Sequence, residues 1–287
     1  MKRKLTLMLS EMRVKQWTKN LLVYSAPLFN GSLLTLSDFL ISSAVFASFC
    51  MASSGIYIIN DIFDMDKDRL NPEKRSRPLA SGKLSAGYAL TVSAILLAFS
   101  LVSAFALSRE YFCLLLSYVV LNVLYAARLK NIVIVDVMTV AYGFVARAVA
   151  GAVSCGVKMT AWFLLCVMFL SLFLALGKRR YELSGEKLRE GREVLKDYSI
   201  DLIDRMMNIT TSALIMSYAL FTMDSTTKNS RAMSLTVPLV LYGVFYYLYV
   251  VHVKRGGGSP DEALYKEKPI LITVTVYVLY VIAVRNF

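Results

Sequence analysis

Asn60, Asp61, Asp64 and Asp68 carry the strongest chemical signal in this chain. The three aspartates fall at i, i+3 and i+7, which on a helix places three carboxylates on one face. Asp66 adds oxygens nearby, and Lys74, Arg75 and Arg77 follow at once. Clustered carboxylates repel one another, and a hard divalent cation relieves that repulsion. Mg²⁺ takes few protein carboxylates and fills its shell with water and substrate phosphates. Cations just after the acids suit phosphate oxygens. The stretch therefore reads as a metal and phosphate site, with Asn60, Asp61, Asp64 and Asp68 as candidate metal ligands. A solvated charged loop is the plain alternative.

The elements that must position these residues are membrane helices. The 287 residues are 57% hydrophobic, with a mean hydropathy of +0.56. Long uncharged runs occur at 20–37, 39–59, 87–107, 111–126, 132–154, 160–177, 206–223, 233–251 and 269–284. They predict an all-α, polytopic membrane bundle of about nine transmembrane helices with a polar cavity at the end holding the acids. The first run contains Pro27, Asn30 and Gly31 and is expected to be broken or partly interfacial. Barrel strands are excluded, because the runs do not alternate and are too long. The whole chain, 1–287, reads as a single integral-membrane domain. Residues 1–19 form a basic interfacial segment, and 60–86 and 178–205 form the charged loops.

The net charge of +12 does not mark a nucleic-acid protein. If the spans alternate from an inside N-terminus, 26 of the 32 lysines and arginines fall on one side. This positive-inside pattern places the acidic stretch at the cytoplasmic face of the cell's inner membrane. No basic and aromatic stripe accompanies the charge. Cys50, Cys113, Cys155 and Cys166 lack metal-ligand spacing and read as packed thiols. His252 is the only histidine, so a multi-histidine metal site or a Ser-His-Asp triad has no support. Ser81-Gly-Lys-Leu84 lacks the rest of a P-loop.

Other charges lie toward the same side. Arg13, Lys15 and Lys19 flank Trp17, an aromatic suited to the membrane boundary. They meet anionic headgroups, or Lys19 and Asn20 meet a substrate phosphate. Asp136 and Arg147 share a face of the fifth run, about 16 Å apart. Arg147 reads as the structural partner of a carboxylate or carbonyl, with substrate contact as the alternative. Lys178, Arg179 and Arg180 precede Glu182 and Glu186. They form either a snorkelling, topology-setting cluster or a second phosphate and metal wall. This cluster follows the sixth run as the aspartates follow the second, which hints at a duplicated four-helix unit. Gly256–Gly258 after His252 gives a flexible turn or a close backbone approach. Asp261 and Glu262 after Pro260 read as a helix start.

Asn60–Asp68 resembles the Asn-Asp-x-x-Asp-x-x-x-Asp signature of the UbiA superfamily of intramembrane prenyltransferases, and Arg77-Pro-Leu-Ala-Ser-Gly82 resembles the run that follows it there. The likeness covers the whole chain and is similar in particular to the decaprenyl-phosphate phosphoribosyltransferase branch. It rests there on Gln16, Trp17, Lys19 and Asn20, on Leu129 and Lys130, and on Gly143, Phe144, Arg147 and Ala148. Gly177, Lys178, Arg179 and Glu182, then His252, Gly256 and Gly257, complete it. Aromatic prenyltransferases carry a second aspartate-rich motif where this chain has Lys178, Arg179, Arg180 and Glu182.

The resemblance implies Mg²⁺-dependent transfer of 5-phosphoribose from phosphoribosyl diphosphate to a polyprenyl phosphate, for cell-wall arabinan precursors. It implies Asp61, Asp64 and Asp68 as the catalytic, metal-holding acids. Lys19, Asn60, Arg75, Arg77, Lys130, Lys178, Arg179 and Glu182 would contact substrate. An oligomer stays open. Two rival readings are an aromatic prenyltransferase of the same fold using a polyprenyl diphosphate, and a non-enzymatic lipid transporter routed past Asp136 and Arg147.

Overall fold

The computed structural model describes residues 2–72, 74–184, 193–224, 229–258 and 266–286. Glu186, Pro260, Asp261 and Glu262 lie outside them. Among the described residues every regular element is helical. Short helices are α1 (Lys2–Glu11), α2 (Ser25–Asn30) and α4 (Met65–Leu70). Eight spans are long and apolar enough to cross a membrane. They are α3 (Leu36–Phe63), α5 (Ala86–Leu107), α6 (Arg109–Ala127), α7 (Val135–Ser154), α8 (Ala161–Ser184), α9 (Ile200–Met223), the pair α10 (Ser230–Ser234) and α11 (Val237–His252), and α12 (Lys268–Asn286).

The first apolar run is the broken one. Val14–Tyr24 is a 3-10 segment, α2 continues it, and Gly31 ends it at φ 77°. A rise of about 2.0 Å per 3-10 residue and about 1.5 Å per α residue makes this piece about 31 Å long, the thickness of a bilayer's apolar core. Its ends lie at opposite ends of the bundle. Arg13 pairs with Asp61 at the end of α3, while Gly31 lies against the Arg285 carbonyl at the end of α12. Among the described residues this broken piece thus adds a ninth candidate pass, in two helical types, to the eight apolar spans. Passes alternate, so the loops after α3, α6, α8 and α11 gather at one charged end.

α7 is the hub. Its Val137 and Ala141 pack with Phe173 and Leu176 of α8, Ile203 and Met207 of α9, and Tyr247 of α11. Its Ala146 and Ala150 pack with Phe49 of α3 and Tyr111 and Leu115 of α6. Ala148 and Ala152 meet Ala26 of α2 and Val281 of α12. A helix enclosed on all sides needs small residues, because helices in lipid associate through close contact and hydrogen bonds. α3 and α5 use the same device, with Ser93 Oγ donating to the Gly55 carbonyl at 2.8 Å. The outer face of α5 shows Ile95, Phe99, Val102 and Phe105 to lipid. All four cysteines are free, and Cys113 lies exposed on α6 rather than packed as expected.

Gly151 sets how near the 3-10 segment comes to α7. A Cβ there would lie 1.9 Å from the Val23 carbonyl oxygen. Gly151→Ala should cost about 1–3 kcal/mol through overpacking, seen as a fall of roughly several degrees in the melting temperature of detergent-purified protein. Gly87→Ala, with nothing within 4 Å of its Cβ, should melt no lower than wild type.

Candidate active site

The acidic motif straddles a kink. α3 ends at Phe63, Asp64 takes the cap position at φ −93°, ψ 2°, and α4 starts at Met65. Helical bonding continues through the kink, with Asp64 N–H donating to Asn60 O at 2.9 Å and Asp68 N–H to Asp64 O at 2.8 Å. The shared face therefore survives. Asp61 and Asp68 are buried, at 2% and 4% exposure. Carboxylates so far from water need cationic partners, and Arg13, Lys74 and Arg77 supply them. Arg77 Nη1 bridges Asp61 Oδ1 at 3.0 Å and Asp68 Oδ2 at 2.7 Å. Arg13 places a second guanidinium on the same Asp61 oxygen. Lys74 stands 3.9 Å from Asp68. Lys130 donates to Asp64 Oδ1 at 2.6 Å, and Asn60 Nδ2 to Asp64 Oδ2 at 3.2 Å. These ion pairs line the end at which the polar cavity is expected.

Arg13 is the residue that sequence reasoning assigned to lipid headgroups and the fold puts in the site. It joins α1 to the 3-10 segment in the left-handed region, at φ 50°, ψ 50°. That conformation costs a non-glycine residue roughly 1–2 kcal/mol. Its guanidinium lies 5.1 Å from the Tyr57 ring centre. α1 supports it from the other side. Buried Glu11 accepts the Leu79 N–H at 2.8 Å and so pins the turn after Arg77. Met8 packs on Leu79 and Leu84. Trp17 Nε1 donates to Ser54 Oγ at 3.0 Å, tying the 3-10 segment to α3. Lys19 is half-buried beside it.

The second wall spends its arginines on itself. Asp136 lies in the first turn of α7, fully buried. Arg179 Nε donates to it at 2.7 Å, and Arg179 Nη1 donates to Glu182 at 2.7 Å. Arg179 is only 3% exposed, so its charge is consumed within the protein. Tyr198 donates its hydroxyl to Asp136 Oδ1 at 2.7 Å, and burial beside that carboxylate pushes the phenol's pKa up. Arg180 grips Asp204 at 2.6 and 3.3 Å, and His252 Nε2 stands 3.3 Å from Asp204. Lys178 is half-buried and Arg75 exposed. Gly257, at φ 95°, and Gly258 bring their loop close to α8: a Cβ on Gly258 would lie 2.4 Å from the Tyr181 ring.

Arg147 sits apart and pairs with no carboxylate. It donates to Asn20 Oδ1 at 2.7 Å, to Tyr118 at 2.8 Å and to the Gly143 carbonyl. The rings of Phe49, Tyr118 and Phe144 surround it. The structural reading holds, through an amide and a carbonyl. Arg147 fastens the 3-10 segment to α7, while Asp136, on the same helix, goes to Arg179.

The atoms that Asp61, Asp64, Asp68 and the Asn60 carbonyl could offer a metal are all oxygen, as a hard divalent ion requires. Among the described residues no three His, Cys, Asp or Glu side chains gather round one point. Arg77 Nη1, however, already stands as a cation between Asp61 and Asp68. Those two carboxylates fit an ion that draws its remaining ligands from phosphate and water.

Residues 26–261 match the UbiA prenyltransferase family. The chain belongs to that family. It is 32% identical over 286 residues to a decaprenyl-phosphate phosphoribosyltransferase of Corynebacterium glutamicum, covering 96% of this chain and 85% of that protein. Identity to the protein of the same name from Mycolicibacterium smegmatis is 30%, covering 92% and 88%. A solved UbiA homolog from Archaeoglobus fulgidus, bound to GPP and Mg²⁺, shares the fold with a TM-score of 0.74 at 20% identity, covering 98% of this chain and 100% of that one. This UbiA protein is a multi-pass membrane transferase, most like the phosphoribosyltransferase branch.

Burial raises the Glu11 carboxyl, the Leu79 N–H lowers it, and neighbouring Asp61 raises it again, leaving a pKa of about 7 against an ordinary 4.5. A raised pKa means that the docked form holds its proton more tightly. The Glu11 contribution to docking of α1 is then fully present below pH 4.5 and is lost as pH rises through about 7. In metal-free UbiA protein, hydrogen-exchange protection in α1 should fall across that window, and Glu11→Gln should flatten the dependence.

Proposed function

We propose that this protein transfers 5-phosphoribose from phosphoribosyl diphosphate to a polyprenyl phosphate and releases diphosphate. The site faces the cytoplasm, in keeping with the positive-inside charge, in the cell's inner membrane. The product serves cell-wall arabinan precursor synthesis. The relatives' printed activity supports the choice of substrates. The observation that carries the reading is the double guanidinium on Asp61: this site holds more cation than its acids need. A donor with a diphosphate and a separate phosphate, meeting a lipid phosphate, brings the matching negative charge.

An acceptor phosphate oxygen attacks the anomeric carbon. The bond from that carbon to the diphosphate oxygen breaks, and the electron pair leaves with diphosphate. The acceptor is already an anion at neutral pH, so no strong base is needed. That agrees with a single histidine held against Asp204, in the other wall. Asp61 and Asp68, with Asp64 and Asn60 beside them, would hold a Mg²⁺ that would supply charge neutralisation for the diphosphate. Arg13 and Arg77, when parted from Asp61, turn to phosphate oxygens. Lys130, parted from Asp64, neutralises the leaving group. Lys19, Arg75 and Lys178 take the remaining phosphate charge at the rim. Arg179 and Glu182 act as the braces of the second wall rather than as direct contacts. The polyprenyl tail stays in the bilayer beside the helices.

Detergent-purified protein given labelled phosphoribosyl diphosphate, polyprenyl phosphate and Mg²⁺ should put label into lipid, and EDTA should stop it. Asp64→Ala should cost about 100-fold or more in rate. Full activity in that variant, or turnover of a prenyl diphosphate with an aromatic acceptor while the ribosyl donor is ignored, would sink the reading. Arg13→Ala should lower kcat/KM about 10–100-fold through loss of one charge-assisted contact, measured in the same assay.

A further inference from the structure

We propose that Tyr198 is a positioning residue that sets Lys130 against the acidic motif, by holding a strained turn between Lys130 and α7. The inference rests on the phosphoribosyl-transfer reading above.

The turn is centred on Ile134, at φ 69° and ψ −44°. Val135 N–H donates to the Val133 carbonyl at 2.8 Å and closes it. This is the γ-turn of the rare, strained hand, and a β-branched residue at its centre is a backbone outlier. The Ile134 side chain is 50% exposed, so core packing does not hold it there. Its N–H is held instead: it donates to the Tyr198 hydroxyl at 2.7 Å. The same hydroxyl donates to Asp136 Oδ1 at 2.7 Å. One oxygen thus grips both the turn and the first turn of α7. Strained backbone persists only where the surroundings over-determine it: Met138 N–H holds the Ile134 carbonyl at 3.0 Å from within α7, and the Tyr198 phenol is the side chain that holds its N–H.

The strain is close to the chemistry. The 3-10 turn Leu129–Asn131 carries Lys130. Ile132 N–H donates to Leu129 O at 3.1 Å, and Asp136 N–H to Ile132 O at 3.1 Å. Residues 129–136 are one hydrogen-bonded unit, with Lys130 on Asp64 at one end and Tyr198 at the other. Tyr198 is 6% exposed, with Leu183, Val194 and Leu195 in its core cluster. It touches no acid of the Asp61 group, so its influence travels through Lys130.

Tyr198→Phe keeps the ring and removes the grip. Transfer should fall about tenfold, with the loss in the parameters for phosphoribosyl diphosphate and the KM for polyprenyl phosphate unchanged. Combined with Lys130→Ala, it should add no further loss, because both changes act through one group. Ile134→Gly accepts a positive φ without strain, so in the Tyr198→Phe background it should restore activity, or folding if Tyr198→Phe alone does not fold. Losses that multiply in the double variant, or no rescue by Ile134→Gly, would overturn the inference. Wild-type protein that transfers no phosphoribose would end the underlying reading as well, so the two failures are told apart by the wild-type assay.

Discussion

A buried carboxylate cannot be left alone. Asp61 sits at the end of α3 with almost no exposure, and its Oδ1 holds guanidiniums from two distant parts of the chain. Leaving that charge unpaired would cost several kcal/mol. The need draws in Arg77 from the loop after α4 and Arg13 from the junction after α1. α1 then caps the loop through Glu11 and Leu79. Much of the charged end follows from satisfying this one oxygen. The same arrangement holds the cations where phosphate would want them, since a cation bound to a carboxylate is ready to turn to a competing anion.

The arginines divide into two kinds. Arg147, Arg179 and Arg180 are committed to the protein: to Asn20 and Tyr118, to Asp136 and Glu182, and to Asp204. Arg13 and Arg77 put their guanidiniums on the acids of the motif, with Arg13 also over the Tyr57 ring. The distinction is electrostatic. Arg147 satisfies its donors with amide, carbonyl, hydroxyl and aromatic faces, which stabilise a cation without neutralising it. Arg179 is neutralised twice over by Asp136 and Glu182. Both are held by the protein's own groups.

The two charged walls meet through the start of α7. Lys130 reaches back to Asp64 in the first wall, and Asp136 reaches forward to Arg179 and Tyr198 in the second. This short stretch couples the two charged loops directly. The transporter reading loses its pathway for the same reason. Asp136 belongs to the charged end and Arg147 to the 3-10 anchor, so they are parts of two different networks.

Much of this was legible in the residues alone. The apolar runs marked the candidate spans, Pro27 and Gly31 marked the broken one, and the i, i+3, i+7 aspartates kept their common face even across a kink. Those features are local, set by periodicity and turn chemistry over a few residues. What only the tertiary structure decided is which charge answers which. Arg13 and Asp61 are 48 positions apart, and Arg179 and Asp136 are 43 apart. No spacing rule links residues on separate helices. The strained Ile134 turn was equally unreadable, because a β-branched residue with positive φ contradicts its local preference and is held by a tyrosine from another element. Sequence determined the helices and the inventory of charge; packing around α7 determined which charge pairs with which.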